Sequence, residues 1–186
     1  MARGRGETAP ATANFWAGVW DWTKTVVLSV LIALALRAVV VESKTIDGSC
    51  MEPTLTTGER VFYFKPCYWF SGPSRGDIIV FRYPLDPTKD YIKRVIALPG
   101  ETIAIHNGVV FINGKELDQS AWPVTIDTVR YPELPEQVVP PGKYFVMGDN
   151  RPESEDSRVW GFVPRQNIKG RAFLLFWPIW RAKWIG

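Results

Sequence analysis

The stretch Asp47-Gly48-Ser49-Cys50-Met51-Glu52-Pro53-Thr54-Leu55 separates an apolar N-terminal segment from a longer part rich in strand patterns. Gly48 lets the backbone approach a ligand closely because glycine has no side chain, and Pro53 stiffens the end of the turn. A turn that is flexible on one side and rigid on the other can hold the thiol of Cys50 in a fixed place. Taken alone, however, such a stretch is more typical of a simple turn between a helix and a strand.

The composition limits the class of protein. A length of 186 residues fits one moderate domain plus a tail or an anchor, and fifteen Pro with fifteen Gly indicate the many turns of a β-rich fold. The net charge is only +3, and no basic cluster with interleaved aromatic residues argues for a nucleic acid partner. Two cysteines and one histidine have no metal-ligand spacing, so we predict no metal and no cofactor. A disulfide between Cys50 and Cys67 is the less favoured alternative to two free thiols.

The N-terminal part predicts a membrane anchor. Residues 1–14 are small and polar, which is typical of a disordered tail. A tryptophan-rich segment follows and then a long apolar run that only Arg37 interrupts. Crossing a bilayer takes about 17–25 mostly apolar residues, and 24–42 reaches the lower limit if Arg37 extends to the outer interface. We therefore predict one transmembrane helix within 15–42, with the N-terminus inside.

Two other interpretations of this segment remain. A cleaved secretory signal needs small residues after its apolar core, and Ala33-Leu34-Ala35 has that spelling but lies inside the core. A buried helix of a soluble protein would have to hide Arg37 together with the tryptophan group.

The rest of the chain predicts strands. Runs of β-branched and aromatic residues that end at turn residues predict strands over Arg60–Phe64, 76–81, 90–98, Lys143–Met147 and 170–178. The run 76–81 is apolar enough to be buried on both faces. Asn107-Gly108 between two β-branched runs predicts a hairpin of Thr102–His106 with Val109–Ile112. We expect loops at 83–89 and 118–141, and we expect the apolar stretch 67–70 to pack rather than to touch a membrane. The prediction is a mostly β domain over 43–186 with a hairpin and loop insertion at 101–141.

Two features of this domain suggest chemistry. Lys93 lies in a strand among apolar and aromatic neighbours, and loss of hydration there favours the neutral amine, which acts as a general base. A lone lysine in a strand more often points into water. The charged loop 148–158 is usually a solvated surface, but it can also form an ion-pair frame that supports a neighbouring strand.

Four motifs occur in order, and together they make the chain resemble the type I signal peptidases, membrane-bound serine/lysine proteases that remove signal peptides. Ser/Gly-x-x-Met-x-Pro-Thr-Leu matches 48–55, and Gly-Asp-Ile-Ile-Val-Phe matches 76–81. Tyr-Ile-Lys-Arg-Val-Ile-x-Leu-Pro-Gly matches 91–100, and Met-Gly-Asp-Asn-Arg followed by Ser-x-Asp-Ser-Arg matches 147–158. The resemblance covers nearly all of 46–177 and implies a β-fold with a hairpin extension.

The resemblance also implies roles for individual residues. Lys93 matches the general base of the family, and Ser154 matches the residue that orients this lysine. The residues that match the supporting frame are Asp149, Asp156, Arg94 and Arg158. Those that match the pockets for small substrate side chains are Ile46, Met51, Leu55, Val80, Tyr91 and Ile92. Tyr91 and Ile92 also lie on a strand edge to which an extended peptide can add.

The nucleophile position departs from the family. The family has serine immediately before the methionine of the first motif, whereas this chain has Cys50 there and Ser49 one place earlier. The register favours Cys50 as the nucleophile, with Ser49 as the alternative. A thiol ionises more readily than an alcohol, and its thiolate is the attacking form. Gly48 stands where some members carry a hydroxyl, so backbone N–H groups around Ser49 and Cys50 are the expected oxyanion donors.

These expectations describe a membrane-anchored endopeptidase that cuts signal peptides from exported preproteins after a small residue at an A-x-A-like site. We expect it in the bacterial cytoplasmic membrane, with the catalytic domain on the outer face and with signal peptides, the lipid bilayer and the secretion translocon as partners. The main rival is a catalytically impaired signal-peptide-binding homologue, because cysteine replaces the family's serine. Two further rivals are a self-cleaving serine/lysine regulator of transcription, although no DNA-binding segment is predicted before Ile46, and a structural membrane protein.

Overall fold

The fold is built mainly from antiparallel strands. A computed structural model describes residues 11–126 and 133–185, with helix side chains described for 19–34 and Val40. Its helices are α1 (Ala11–Val40) and α2 (Ser157–Trp160). The strands of the described ranges are β1 (Val41–Thr45), β2 (Arg60–Phe64), β3 (Ile78–Tyr83), β4 (Asp86–Ala97), β5 (Thr102–His106), β6 (Val109–Ile112), β7 (Lys115–Glu116), β8 (Leu134–Val138), β9 (Lys143–Met147), β10 (Val163–Pro164), β11 (Ile168–Trp177) and β12 (Lys183–Trp184). The prediction of a mostly β domain is confirmed.

The chain divides into two compact units, 1–39 and 40–186. Helix α1 accounts for the described part of the first unit, and its described side chains from Val19 to Leu34 are exposed. Within the described residues, no helix combines the length and the apolar character that crossing a membrane requires. The anchor expected within 15–42 therefore stays a prediction. The disordered tail expected over 1–14 is wrong for 11–14, which are helical, and 1–10 lie outside the described residues.

The second unit contains two sheets. The larger has the strand order β1-β2-β11-β3-β4-β9-β10, with β12 added beside β11. The smaller has the order β7-β6-β5-β8 and comes from the expected insertion. Residues 78–81 of β3 are completely buried, which confirms the burial predicted from their apolar run. Residues 47–55, named the nucleophile turn after the role expected of Cys50, lie between β1 and β2, and β4 carries Lys93, so both candidates belong to this unit.

Several strand boundaries match the predictions and others differ. Strands β2, β5, β6 and β9 have the predicted bounds. Strand β4 begins at Asp86, inside a predicted loop, because Asp86 pairs with Tyr83 of β3 in a tight connection. Strand β1 includes Val41 and Glu42, two residues assigned to the anchor, because they pair with the end of β2.

Five strands of the described residues were not predicted, namely β1, β7, β8, β10 and β12, and β8 and β12 show why. Strand β8 lies in the expected loop 118–141, and its polar, proline-containing sequence becomes a strand by pairing with the edge of β5. Strand β12 follows the strand expected to be the last one and pairs with Leu174 and Leu175 of β11. Both depend on a partner strand that is distant in sequence, and their own composition does not indicate a strand.

The expected packing of 67–70 is wrong for its last two residues. Trp69 is 63% exposed and Phe70 is 97% exposed. Further large apolar side chains near the C-terminus are also exposed, namely those of Trp177, Ile179, Trp180 and Trp184. The second unit therefore presents aromatic surface to its surroundings instead of burying it.

Candidate active site

The turn that carries Cys50 is held by backbone groups and by one distant asparagine. The carbonyl oxygen of Ser49 accepts hydrogen bonds from the Glu52 N–H at 3.0 Å and from Nδ2 of Asn150 at 3.2 Å. The Cys50 carbonyl oxygen accepts from the Asn150 N–H at 3.1 Å. Gly48 has a φ of 91°, a backbone conformation that glycine adopts without steric cost. Hydrogen bonds to the Ser49 and Cys50 carbonyl oxygens therefore hold the turn before and after the Cys50 side chain.

The thiol lies above a hydrophobic core. Cys50 is partly buried and packs against a cluster of completely or nearly completely buried side chains. Four residues expected near the substrate pockets belong to this cluster: Ile46, Met51, Leu55 and Val80. Ile92 belongs to the same cluster but also lines the cavity described below. The core thus supports the turn from one side.

Strand β4 presents Lys93 in an environment with little water. Lys93 is 3% exposed and pairs with Ile79 of β3. Its Nζ lies 5.6 Å from the ring centroid of Tyr91. Among the described residues, no carboxylate forms an ion pair with this ammonium group. Lys93 therefore presents a buried amine beside an aromatic ring, without an ion pair to a described carboxylate.

A single cavity brings the two candidate groups together. It has a volume of about 730 Å³, and both Cys50 and Lys93 line it. Residues 47–50 form one part of its lining and residues 88–93 of β4 form another. Of the six residues expected near the substrate pockets, Tyr91 and Ile92 line it. The described part of β9 pairs with β4 only from Arg94 onward, which leaves the preceding residues of β4 with an unpaired edge beside the cavity.

A buried ion pair connects the turn with β4. Nε of Arg94 donates to Oδ1 of Asp149 at 2.8 Å, and Nη2 donates to Oδ2 at 2.6 Å. The hydroxyl of Thr54, at the end of the nucleophile turn, donates to Oδ2 of the same carboxylate. Arg94 is 4% exposed and Asp149 is completely buried. The guanidinium lies 5.2 Å from the ring centroid of Trp122, so the insertion supports this pair.

A second carboxylate organises the loop before α2. Oδ2 of Asp156 accepts from the Ser154 hydroxyl at 2.7 Å and from the Gly148 N–H at 3.0 Å. Arg158 donates to both carboxylate oxygens, at 2.8 and 2.9 Å. The Ser154 hydroxyl also accepts from the Gly148 N–H at 3.1 Å. Within the described residues its bonds go to these partners and not to Lys93, so the lysine-orienting role of Ser154 stays a prediction.

The chain matches a known protein family over most of its length. The match extends over residues 19–177, and the family is described as signal peptidase, peptidase S26. This chain belongs to that peptidase family. The resemblance seen in the four motifs is thereby confirmed.

Individual relatives give the same result. The chain is 44% identical to a signal peptidase I of Leptolyngbya laminosa, over 88% of this chain and 82% of that protein. It is 42% identical to a probable signal peptidase I-2 of a Synechocystis species, over 86% of this chain and 73% of that protein. It is 32% identical to a signal peptidase I of Bacillus licheniformis, over 92% and 95% respectively. A signal peptidase I crystal structure from Enterococcus faecalis aligns with a TM-score of 0.46 and 34% identity, covering 53% of this chain and 95% of that one.

Several residues that surround the candidate site were not predicted from the sequence. Asn150 lies within the fourth motif, but its contacts with Ser49 and Cys50 join positions about a hundred residues apart. Trp122 comes from a segment predicted only as loop, and no local pattern marks it as the neighbour of Arg94. Arg151 is 1% exposed, and its Nε donates to the Gly148 carbonyl at 2.9 Å. The charged loop is therefore a buried frame at Asp149, Arg151 and Asp156, while Glu153 and Glu155 are exposed.

The second thiol lies outside the cavity. Cys50 and Cys67 are both free in this structure, so the alternative of a disulfide between them is wrong. The Sγ of Cys67 donates to the Phe64 carbonyl at 2.9 Å. Burial, as the largest cause, raises the pKa of the Cys67 thiol above its usual value. Its thiolate is therefore scarce at neutral pH, and thiolate is the reactive form.

Proposed function

We propose that this chain is an endopeptidase that removes signal peptides from exported preproteins, with Cys50 as nucleophile and Lys93 as general base. The observation that carries the proposal is the cavity that both side chains line. Membership of a peptidase family supports it, and so do the signal peptidases among the relatives. The supporting frame would consist of Arg94 with Asp149, and of Ser154, Asp156 and Arg158.

The proposed reaction has two halves. In the first, the Cys50 sulfur attacks the scissile carbonyl carbon while its proton passes to Nζ of Lys93. The tetrahedral intermediate collapses to a thioester, and the protonated lysine gives the proton to the leaving amine. In the second half, Lys93 takes a proton from a water that attacks the thioester. The acyl group leaves as a carboxylic acid, and the thiol regains its proton.

The negative oxygen of each tetrahedral intermediate needs hydrogen-bond donors. We propose the backbone N–H groups at Ser49 and Cys50 for this role. No side-chain hydroxyl stands at Gly48 to supplement them. The orientation of this backbone therefore matters more than it would in a site with an additional hydroxyl donor.

Substrate binding is proposed to use the unpaired edge of β4. An extended peptide that adds to this edge gains main-chain hydrogen bonds, while alternate side chains enter pockets. Tyr91 and Ile92 line the cavity next to this edge. Ile46, Met51, Leu55 and Val80 would close the pocket from below, and such a shallow apolar floor favours small side chains at an A-x-A-like site.

The protein is proposed to work at the outer face of the bacterial cytoplasmic membrane, with the secretion translocon nearby. The exposed side chains of Trp69, Phe70 and Trp180 support contact with a bilayer, because aromatic side chains favour the membrane–water interface. The anchor within 15–42 would hold the N-terminus inside. The signal peptide of a preprotein would then reach the catalytic domain at the outer face of the membrane.

The proposal is tested with the full chain in lipid vesicles and a secretory precursor, with products identified by mass spectrometry. We expect cleavage after a small residue and an acyl-thioester mass on Cys50 at early times. Lys93→Met keeps the length and apolar stem of the side chain but removes the amine, so it should abolish cleavage without changing the melting temperature. Cys67→Ser is the matched control and should cleave normally. Retained cleavage by Lys93→Met would refute the assigned base.

A second candidate function follows from the cysteine itself. Its larger sulfur fits less well beside an oxyanion site shaped for oxygen, which would leave a protein that binds signal peptides without cutting them. Cys50→Ser separates the two functions. Cleavage by the unsubstituted chain supports the peptidase, whereas cleavage only after Cys50→Ser supports the binder.

A further inference from the structure

We propose that the side chain of Asn150 is a positioning residue that orients the oxyanion-binding N–H of Cys50. The inference rests on the proposed function, because it concerns the intermediate of that reaction. It adds a residue whose role lies in a hydrogen bond to the turn and not in contact with the substrate.

The peptide unit between Ser49 and Cys50 connects the hydrogen bond of Asn150 with the proposed oxyanion donor. The carbonyl of Ser49 and the N–H of Cys50 belong to the same planar trans peptide, so they point in opposite directions. Nδ2 of Asn150 donates to the Ser49 oxygen at 3.2 Å. By holding that oxygen, Asn150 sets the direction of the N–H on the other side of the peptide plane. The hydrogen bond from Asn150 to the Ser49 oxygen therefore orients the Cys50 N–H, which is the proposed oxyanion donor.

The N–H of Cys50 remains available for this task. Among the described residues, no backbone or side-chain oxygen accepts a hydrogen bond from it. A buried or half-buried N–H normally finds a partner, and a donor held in place without one is suited to an oxygen that appears only during the reaction. The Ser49 oxygen, in contrast, accepts two bonds, from Glu52 and from Asn150.

Asn150 is itself rigidly placed. Its own N–H donates to the Cys50 carbonyl at 3.1 Å, so one residue holds both carbonyls that flank the cysteine. The neighbouring backbone pairs with Thr125 of the insertion: the Thr125 N–H donates to the Asp149 oxygen at 2.9 Å, and the Arg151 N–H donates to the Thr125 oxygen at 3.1 Å. Asp149 is fixed in turn by the buried Arg94. The hydrogen bonds on both sides of Asn150 therefore fix the position of its side-chain amide.

The expected loss in kcat follows from the single hydrogen bond that substitution of Asn150 removes. Deleting an oxyanion donor itself costs about 100- to 1,000-fold in kcat. Removal of the Asn150 amide leaves the Cys50 N–H in place, and Glu52 still holds the Ser49 oxygen. We therefore expect a smaller loss, about tenfold in kcat, with KM changed by less than about twofold because ground-state binding is untouched.

The test compares Asn150→Ala and Asn150→Asp, both in a Cys67→Ser background. Asn150→Asp keeps the shape but turns an acceptor toward the Ser49 oxygen, so its loss should equal or exceed that of Asn150→Ala. The matched control is Asn167→Ala, which removes a similar amide-to-carbonyl bond, from Asn167 to Arg82 at 3.2 Å, far along the chain from the turn. The control should retain full kcat.

Two further readouts distinguish orientation from general structure. A peptide aldehyde forms a tetrahedral adduct with Cys50, so its inhibition constant should weaken by the same factor as kcat. Alkylation of Cys50 by iodoacetamide needs no oxyanion donor, so its rate should be unchanged. Unchanged kcat in both variants, a change in KM alone, or a parallel fall in the alkylation rate would each overturn the inference.

Failure of the proposed function looks different. If only the Cys50→Ser chain cleaves, the same variants are measured in that background, where the aldehyde forms an oxygen adduct. If neither background cleaves a precursor or binds the aldehyde, the peptidase assignment fails and the role of Asn150 fails with it. If the parent cleaves and the Asn150 variants cleave equally well, only the role of Asn150 is wrong.

Discussion

The nucleophile turn and the lysine strand are held by different kinds of contact. Lys93 lies within β4, where a continuous register with β3 from Asp90 to Arg94 fixes the backbone at every residue. Cys50 lies in a turn whose position depends on single contacts from residues distant in sequence, among them Asn150 and Asp149. Many equivalent backbone hydrogen bonds hold a strand in a sheet, whereas only a few hydrogen bonds hold the turn. The turn should therefore be the more sensitive half of the site.

The largest loss of stability is expected at Asp149, which contacts both the nucleophile turn and strand β4. Asp149→Ala leaves Arg94 buried without a carboxylate and leaves the Thr54 hydroxyl without its acceptor. Breaking a buried pair from one side costs about 3–5 kcal/mol, so we expect a loss of that size in the free energy of unfolding, measured with urea. Asp86→Ala removes an exposed pair with Lys89 and should lower the free energy of unfolding far less, because solvent screens an exposed pair. Equal costs for the two variants would contradict the structural role of Asp149.

The next effect acts on the turn alone. A methyl group at position 148 would overlap the Cys50 carbonyl oxygen and the Ser154 Oγ, so Gly148→Ala should displace the turn. A shift of about 1 Å can cost about 100-fold in rate, and we expect such a loss in kcat/KM for precursor cleavage. Gly114→Ala is the control, because a methyl group there meets nothing within 4 Å, and the backbone strain that its φ of 72° imposes lies in the connection between β6 and β7. Activity at the control level in Gly148→Ala would mean that the turn tolerates displacement.

A smaller effect is expected at the C-terminal side of the turn. Nε of Arg181 lies 3.0 Å from Oε1 of Glu59, whose side chain is 3% exposed, and Nη1 of Arg181 donates to the Thr56 hydroxyl at 3.1 Å. The side chain of Arg181 is 38% exposed, so solvent screening reduces its contribution. We expect Arg181→Ala to lower the free energy of unfolding by about 1 kcal/mol and to reduce kcat as well. Loss of stability without loss of kcat would separate this segment from the site.

The smallest effect is expected beside the lysine strand. Nζ of Lys169 pairs with Oδ2 of Asp90 at 2.6 Å, and both side chains are more than a fifth exposed. Lys169→Ala should cost less than about 1 kcal/mol and leave precursor cleavage unchanged, because the backbone ladder still holds β4. If Lys169→Ala reduced kcat as much as Arg181→Ala, the strand would be no more robust than the turn.

Much of the local structure was predictable from the sequence. The alternation of β-branched and aromatic residues predicted β2, β5, β6 and β9 with their observed bounds, and Asn107-Gly108 predicted the hairpin between two of them. Such patterns work because strand preference and turn geometry depend mainly on near neighbours. Strands β8 and β12 were missed because each exists only by pairing with an edge provided elsewhere.

The candidate site was predictable in part for a different reason. The motifs identified Cys50, Lys93 and the charged residues of the frame, and they indicated the peptidase family. They did not indicate that Ile46, Met51, Leu55 and Val80 would lie in the core while Tyr91 and Ile92 line the cavity. Which side of a buried element faces a cavity depends on how the sheet curves and packs, and the residue types are apolar in either case.

The sequence by itself determined the family, the strand-rich character of residues 43–186 and the candidates for the reactive groups, because these depend on residue type and short-range order. Only the tertiary structure decided that Cys50 and Lys93 share one cavity, that Asp149, Arg151 and Asp156 of the charged loop are buried, and that Asn150 reaches the nucleophile turn. Those contacts join residues that are distant along the chain, so they form only when the strands between them have taken their places in the sheet.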